Sequence, residues 1–76
     1  MDTPTKKLSE YVRSKGINLS KMSRDTGIPY VSLYDSLMNE SRDRDLRVGE
    51  FFIICRFLGV KGEDFADKEK VEPFFD

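Results

Sequence analysis

The chain has 76 residues, of which 38% are apolar and 36% charged, and its formal net charge is −1. These values indicate one small globular domain and exclude a disordered tail. The longest apolar run, Phe51 to Cys55, is much shorter than the ~20 residues that span a bilayer. We also expect no signal peptide, because no charged-then-apolar segment opens the sequence. We therefore expect a cytoplasmic protein without a membrane partner.

The types of residue present also restrict the chemistry. The chain has no histidine and one cysteine, Cys55, which excludes an internal disulfide and a Cys/His zinc site. Cys55 lies in an apolar run, so we expect it to be buried. The sequence shows no carboxylate pair in an apolar setting, no phosphate-binding glycine loop and no nucleophile motif. We therefore expect neither an enzyme nor a cofactor.

The two parts of the chain differ in charge. Residues 1–60 carry ten Lys or Arg and eight Asp or Glu, a net charge of +2, whereas residues 61–76 carry three and six, a net charge of −3. Nucleic-acid-binding domains usually have a stronger basic bias. The charge balance therefore argues mildly against tight non-specific DNA binding, although it does not exclude a local basic patch.

The first predicted helix has clear signals at both ends. Thr3 is a hydroxyl residue suited to an N-cap, and Pro4 suits the first turn, where its missing N–H is harmless. Gly16 is a stop signal. The residues expected to face the core at helical spacing are Leu8, Tyr11 and Val12.

Two shorter helices are predicted next. Asn18 is a good N-cap for the second helix, which Gly27 ends, and Pro29 begins the third. The residues expected to face the core are Leu19 and Met22 in the second helix and Leu33 and Leu37 in the third.

A polar, charged loop over residues 39–47 separates these helices from a fourth, predicted for residues 48–58 with Gly59 as its stop. The fourth helix is apolar nearly all round. Its main inward stripe is expected to be Val48, Phe51, Phe52, Cys55 and Leu58, with Ile53 and Phe57 on the opposite side. A short fifth helix over residues 63–70 would pack Phe65.

The spacing around the second and third helices predicts how they meet. Small Ser23 stands four residues before Gly27, and Leu33 stands six residues after it. This layout favours two helices that cross steeply through a tight turn, a helix-turn-helix over residues 18–37. Such a unit presents its second helix to a partner, usually the major groove of DNA.

The chain resembles the Cro- and phage-repressor-type helix-turn-helix family, also called XRE-like or lambda-repressor-like. The similarity runs from about Leu8 to Phe65. The segments that carry it are Lys15-Gly16-Ile17, Met22-Ser23, Thr26-Gly27-Ile28-Pro29, Leu46-Arg47-Val48-Gly49-Glu50-Phe51, Phe57-Leu58-Gly59-Val60 and Glu63-Asp64-Phe65. The resemblance implies a compact all-α bundle of four or five helices, with the third as recognition helix. The chain departs from the family at Ser36, where an apolar residue is usual.

The exposed face of the third helix is unusual for a recognition helix. It is expected to consist of Pro29, Tyr30, Val31, Tyr34 and Asp35. The familiar base-contacting residues are Arg, Lys, Asn and Gln, but a tyrosine or a valine can pack on a thymine methyl group. Candidate backbone contacts are Ser20, Lys21, Arg24, Ser32, Arg42 and Arg44. The arginines of the loop alternate with Asp43 and Asp45, so a self-neutralised loop is an equal alternative.

Apolar residues at the end of the sequence indicate a second contact. Phe74 and Phe75, in the tail of residues 71–76, are too apolar for a free segment. They either fold back onto Ile53 and Phe57 or pair with a second copy of the chain. We favour a homodimer, in which Ile53, Phe57, Phe74 and Phe75 form the interface, because two copies can engage two half-sites one turn apart.

The sequence thus predicts a sequence-specific DNA-binding transcriptional regulator whose third helix enters the major groove of double-stranded DNA. The alternative is a protein-binding module, of antirepressor or inhibitor type, that keeps the fold and uses the third helix for a protein partner. The near-neutral charge and the tyrosines on the third helix favour this alternative.

Overall fold

Four α-helices make up most of the described chain, which in this computed structural model covers residues 2–39, 41 and 44–65. They are α1 (Thr3–Lys15), α2 (Leu19–Thr26), α3 (Tyr30–Leu37) and α4 (Val48–Leu58), followed by one 3₁₀ turn (Gly62–Asp64). No strand occurs within these residues. The predicted all-α class is confirmed.

The helix ends show which local signals operate. Asn18 caps α2 as predicted, because its Oδ1 accepts a hydrogen bond of 3.0 Å from the Lys21 amide. The prediction for α1 was wrong by one residue. Its cap is Asp2, whose Oδ1 accepts from the Thr5 amide at 2.9 Å, and Thr3 is already helical. Both residue types are good caps, so the sequence alone does not decide between neighbours.

The turn after α2 depends on its glycine. Gly27 has a φ of +79°, in the left-handed region that residues with a Cβ rarely adopt. Its amide donates to the Ser23 carbonyl at 3.0 Å, which ends the helix with a hydrogen bond. The chain can therefore reverse within three residues and begin α3 at Tyr30.

The core lies where the four helices meet. α1 packs against α3, and α2 packs against both α3 and α4. Cys55 is buried, as predicted, and burial raises the pKa of its thiol. The fully buried apolar side chains are Leu8 and Val12 of α1, Met22 of α2, Leu33 and Leu37 of α3 and Ile54 of α4.

The orientation of α4 corrects the sequence prediction. Val48 and Phe52, expected to face the core, are exposed, whereas Ile54 is buried. The stripe that faces the core is Phe51, Ile54 and Cys55, with Leu58 packed against it. Because the helix is apolar on nearly every side, its periodicity does not determine which face turns inward.

The segment after α4 also differs from the prediction. A 3₁₀ turn, Gly62–Asp64, stands where the predicted fifth helix was to begin, and residues 66–70 lie outside the described residues. Phe65 is buried as expected and meets the Tyr11 ring edge-on at a centroid distance of 5.5 Å. This contact packs the end of the 3₁₀ segment against α1.

Candidate nucleic-acid interface

Side-chain hydrogen bonds fix the turn between α2 and α3. The Ser23 hydroxyl donates to the Ile28 carbonyl oxygen at 2.7 Å. The Thr26 hydroxyl donates to the Met22 carbonyl at 2.6 Å and accepts from the Ile28 amide at 3.2 Å. The Ile28 side chain is itself buried. The angle at which α3 leaves α2 is therefore held by both polar and apolar contacts.

The far end of α3 is held by α1. The Ser9 hydroxyl donates to the Leu37 carbonyl at 2.5 Å, and the Arg13 guanidinium donates to the Leu37 and Met38 carbonyls at 3.2 and 3.0 Å. These bonds satisfy carbonyls that the end of a helix leaves without partners. The sequence does not predict the roles of Ser9 and Arg13, because contacts over 24 to 28 positions leave no local pattern.

The outward face of α3 carries three large side chains. Tyr30 is 46% exposed, Val31 68% and Tyr34 43%, whereas Leu33 and Leu37 on the opposite side are buried. We call Tyr30, Val31 and Tyr34 the α3 surface. The two tyrosine rings are stacked, with centroids 6.3 Å apart and planes inclined by 22°. The predicted exposure of this trio is confirmed.

The α3 surface continues onto α2. An open groove of about 480 Å³ lies between the start of α2 and the tyrosines of α3. Its lining brings together three of the predicted contact residues, Ser20, Tyr30 and Tyr34. The rest of the lining is Ile17, Asn18, Leu19 and Met38. A ligand on the α3 surface would therefore also meet the first turn of α2.

The two cations predicted on α2 are exposed. Lys21 and Arg24 both extend from the helix into solvent. The backbone amide of Lys21 donates to the Asn18 cap, and the Lys21 side chain is exposed. Because the buried side of α2 carries Leu19 and Met22, these charges cannot face the core.

The remaining predicted contacts on α3 are less accessible. Ser32 and Asp35 are half-buried. The Asp35 carboxylate accepts a hydrogen bond of 3.4 Å from the Asn39 side-chain amide. Asp35 is thus engaged within the protein at the end of α3.

Arg44 has partners within the protein. Its Nη1 donates to the hydroxyl of buried Ser36 at 2.6 Å, and its Nη2 pairs with Glu50 Oε2 at 3.1 Å. Arg44 therefore joins α3 to α4, and its contact with a DNA backbone stays a prediction. The same contact gives the buried Ser36 hydroxyl a hydrogen-bond partner. Arg42 lies outside the described residues, so its predicted contact is untested.

Glu50 has two partners in this network. Its Oε1 accepts from the Arg47 amide at 2.9 Å, which caps α4, and its carboxylate pairs with Arg44. Burial raises the pKa of Glu50, but the hydrogen bonds from Arg47 and Arg44 and the charges of both arginines outweigh it. The pKa therefore lies below its ordinary value of 4.5.

Comparison of the chain with family models, with curated proteins and with solved structures gave no match. Within the described residues, no helix combines the length and the apolar character needed to cross a membrane.

A second exposed apolar surface lies on α4. We call Val48, Phe52 and Ile53, which are 73%, 58% and 42% exposed, the α4 surface. Of the predicted dimer contacts, Ile53 belongs to this surface, whereas Phe57 is partly buried against the core. Phe74 and Phe75 lie outside the described residues. The dimer stays a prediction.

Proposed function

We propose that the protein is a sequence-specific regulator of transcription that binds double-stranded DNA through a lambda-repressor-like helix-turn-helix. In this proposal α3 enters the major groove, and α2 lies across the sugar-phosphate backbone. The observation that carries the proposal is the outward-facing α3 surface, together with the exposed cations of α2, the helix that packs against α3.

The arrangement of contacts supports this choice. A turn fixed by Ser23 and Thr26 presents α3 at a set angle to α2. Lys21 and Arg24 supply the positive charge that phosphates require, while the α3 surface supplies contacts to base edges. A homodimer would place two α3 surfaces at half-sites one helical turn apart.

A second candidate function rests on one specific observation. The α3 surface is made of two tyrosines and a valine, and tyrosine is common among the residues that dominate protein–protein binding energies. A protein partner would bury the stacked rings and would not require the positive charges of α2. The same domain would then act as an antirepressor or inhibitor.

The dependence of binding on salt concentration distinguishes the DNA-binding function from the protein-binding function. Binding to DNA releases counterions, so the logarithm of the affinity falls linearly with the logarithm of salt concentration, by about 0.9 per phosphate neutralised. We expect this slope for a duplex library at salt concentrations from ~50 mM upward. A flat response, or no retention on the library, would support the protein partner.

Two lysine variants test the proposed placement of α2 across the DNA backbone. Lys21→Ala should weaken binding to all duplexes alike and reduce the salt slope by about 1, because it removes one phosphate contact. Lys61→Ala is the control, since Lys61 is exposed beside the 3₁₀ turn, which packs against α4. Equal effects of the two variants would contradict the proposed placement of α2.

A further inference from the structure

The α3 surface offers a ligand mainly apolar area. Val31 is the most exposed of its residues, at 68%, and its side chain consists of methyl groups. Tyr30 and Tyr34 lie one turn apart and stack on each other, so they present one aromatic surface with a hydroxyl on each ring. Leu33 and Leu37 anchor the other side of the helix in the core, so the helix that carries the surface is held in place.

Polar groups able to identify a base are scarce on this helix. Residues 30–37 contain no Arg, Lys, Asn or Gln, the side chains that form paired hydrogen bonds with guanine or adenine. Asp35, which could accept from cytosine, is half-buried and bonded to Asn39. The tyrosine hydroxyls each offer a single bond with rotational freedom, which discriminates weakly between bases.

The major groove contains one apolar group that identifies a base, the C5-methyl of thymine. We propose that the α3 surface selects its DNA sites by packing Val31 and the tyrosine rings on thymine methyl groups. This inference rests on the proposed DNA-binding function and specifies which feature of the duplex is recognised. Burial of one methyl group changes affinity about fourfold, which corresponds to about 0.8 kcal/mol.

Replacement of thymine by deoxyuridine tests the inference directly, because it removes only the methyl group. A duplex is first selected from a randomised library at ~50 mM salt. Its affinity is then compared with that of the same duplex synthesised with deoxyuridine. We expect the deoxyuridine duplex to bind about fourfold more weakly for each contacted thymine, with an unchanged salt slope, since the phosphates are the same.

Two valine variants assign the effect to α3. Val31→Ala should bring the thymine-to-deoxyuridine affinity ratio closer to one, because the contact is lost from the protein side. Val48→Ala is the matched control, an exposed valine on α4, and should keep the wild-type ratio. A further duplex carries cytosine in place of each contacted thymine and should bind more weakly. Replacing those cytosines by 5-methylcytosine restores the methyl group and should recover part of the lost affinity.

The outcomes separate this inference from the proposed function. Equal binding of the thymine and deoxyuridine duplexes, with a normal salt slope, would overturn methyl recognition and leave DNA binding intact. A ratio that Val31→Ala does not change would also overturn it. No retention of any duplex would overturn both the inference and the proposed function, in favour of a protein partner.

Discussion

Ser23 and Ile28 are joined across the turn by a hydrogen bond of 2.7 Å from the serine hydroxyl to the isoleucine carbonyl oxygen. The carbonyl lies where the chain leaves α2 and turns towards α3. Ser23 was predicted to allow close approach of the two helices because it is small. The structure adds a polar role, since its hydroxyl fixes the path of the turn.

Replacement of Ser23 separates these two roles. Ser23→Ala keeps the small size but leaves the Ile28 carbonyl without this partner, which should lower the free energy of unfolding by about 1 kcal/mol. Ser23→Leu should cost about 1–3 kcal/mol more, because the larger side chain must be forced between the helices. Urea unfolding measures both, with Ser20→Ala, an exposed serine of α2, as control. Equal stability of the Ser23→Ala and Ser20→Ala variants would contradict the polar role.

Arg44 should contribute to stability and not to DNA affinity. Arg44→Ala removes the partner of the buried Ser36 hydroxyl and one member of the ion pair with Glu50, so we expect a loss of about 1.5–3 kcal/mol. Chemical denaturation gives the value, and Arg56→Ala, an exposed arginine of α4, is the control. A fall in DNA affinity with no change in stability would restore the backbone-clamp hypothesis.

The Glu50 carboxylate should make stability depend on acidity. Its pKa in the folded protein lies below the ordinary 4.5, so its contribution is present above 4.5 and is lost as the pH falls through the folded-state pKa. Glu50→Gln should therefore be less stable than the wild type at neutral pH, and the difference should shrink in acid. Free energies of unfolding measured over this range test the sign. If the difference in free energy of unfolding between the wild type and Glu50→Gln does not change with pH, the charge of Glu50 does not contribute to stability.

The α4 surface is predicted to take part in self-association. Val48→Asp places a carboxylate at the first residue of α4, where the helix dipole favours negative charge, so the fold should be kept while an apolar contact is lost. We expect sedimentation to show a dimer for the wild type and a shift towards monomer for Val48→Asp and Ile53→Asp. Tyr30→Ser, on the α3 surface, should leave the dimer unchanged. A wild-type monomer at micromolar concentrations would contradict the predicted dimer.

Local signals were the most predictable part of this chain. Asn18 and Gly27 act at their own positions, through a cap and a left-handed turn, so the sequence placed the bounds of α2 correctly. The outward direction of Tyr30, Val31 and Tyr34 followed from helical spacing, since α3 has apolar core residues on one side only.

Features that depend on packing between distant segments were not predictable. The prediction that Val48 and Phe52 of α4 face the core was wrong, because the sequence of an almost uniformly apolar helix does not show which side is buried. The role of Arg44 depends on how the loop between α3 and α4 is folded, which brings Ser36 and Glu50 to one guanidinium. The support of α3 by Arg13 likewise appears only once α1 and α3 are packed together.

Selection from a randomised duplex library at ~50 mM salt measures whether the α3 surface recognises a DNA sequence, as we propose. We expect the wild-type protein to enrich a defined site, Tyr30→Ala to change the enriched sequence, and Lys21→Ala to weaken retention without changing that sequence. Failure of the wild-type protein to retain any duplex, or the same enriched site from wild type and Tyr30→Ala, would contradict the claim.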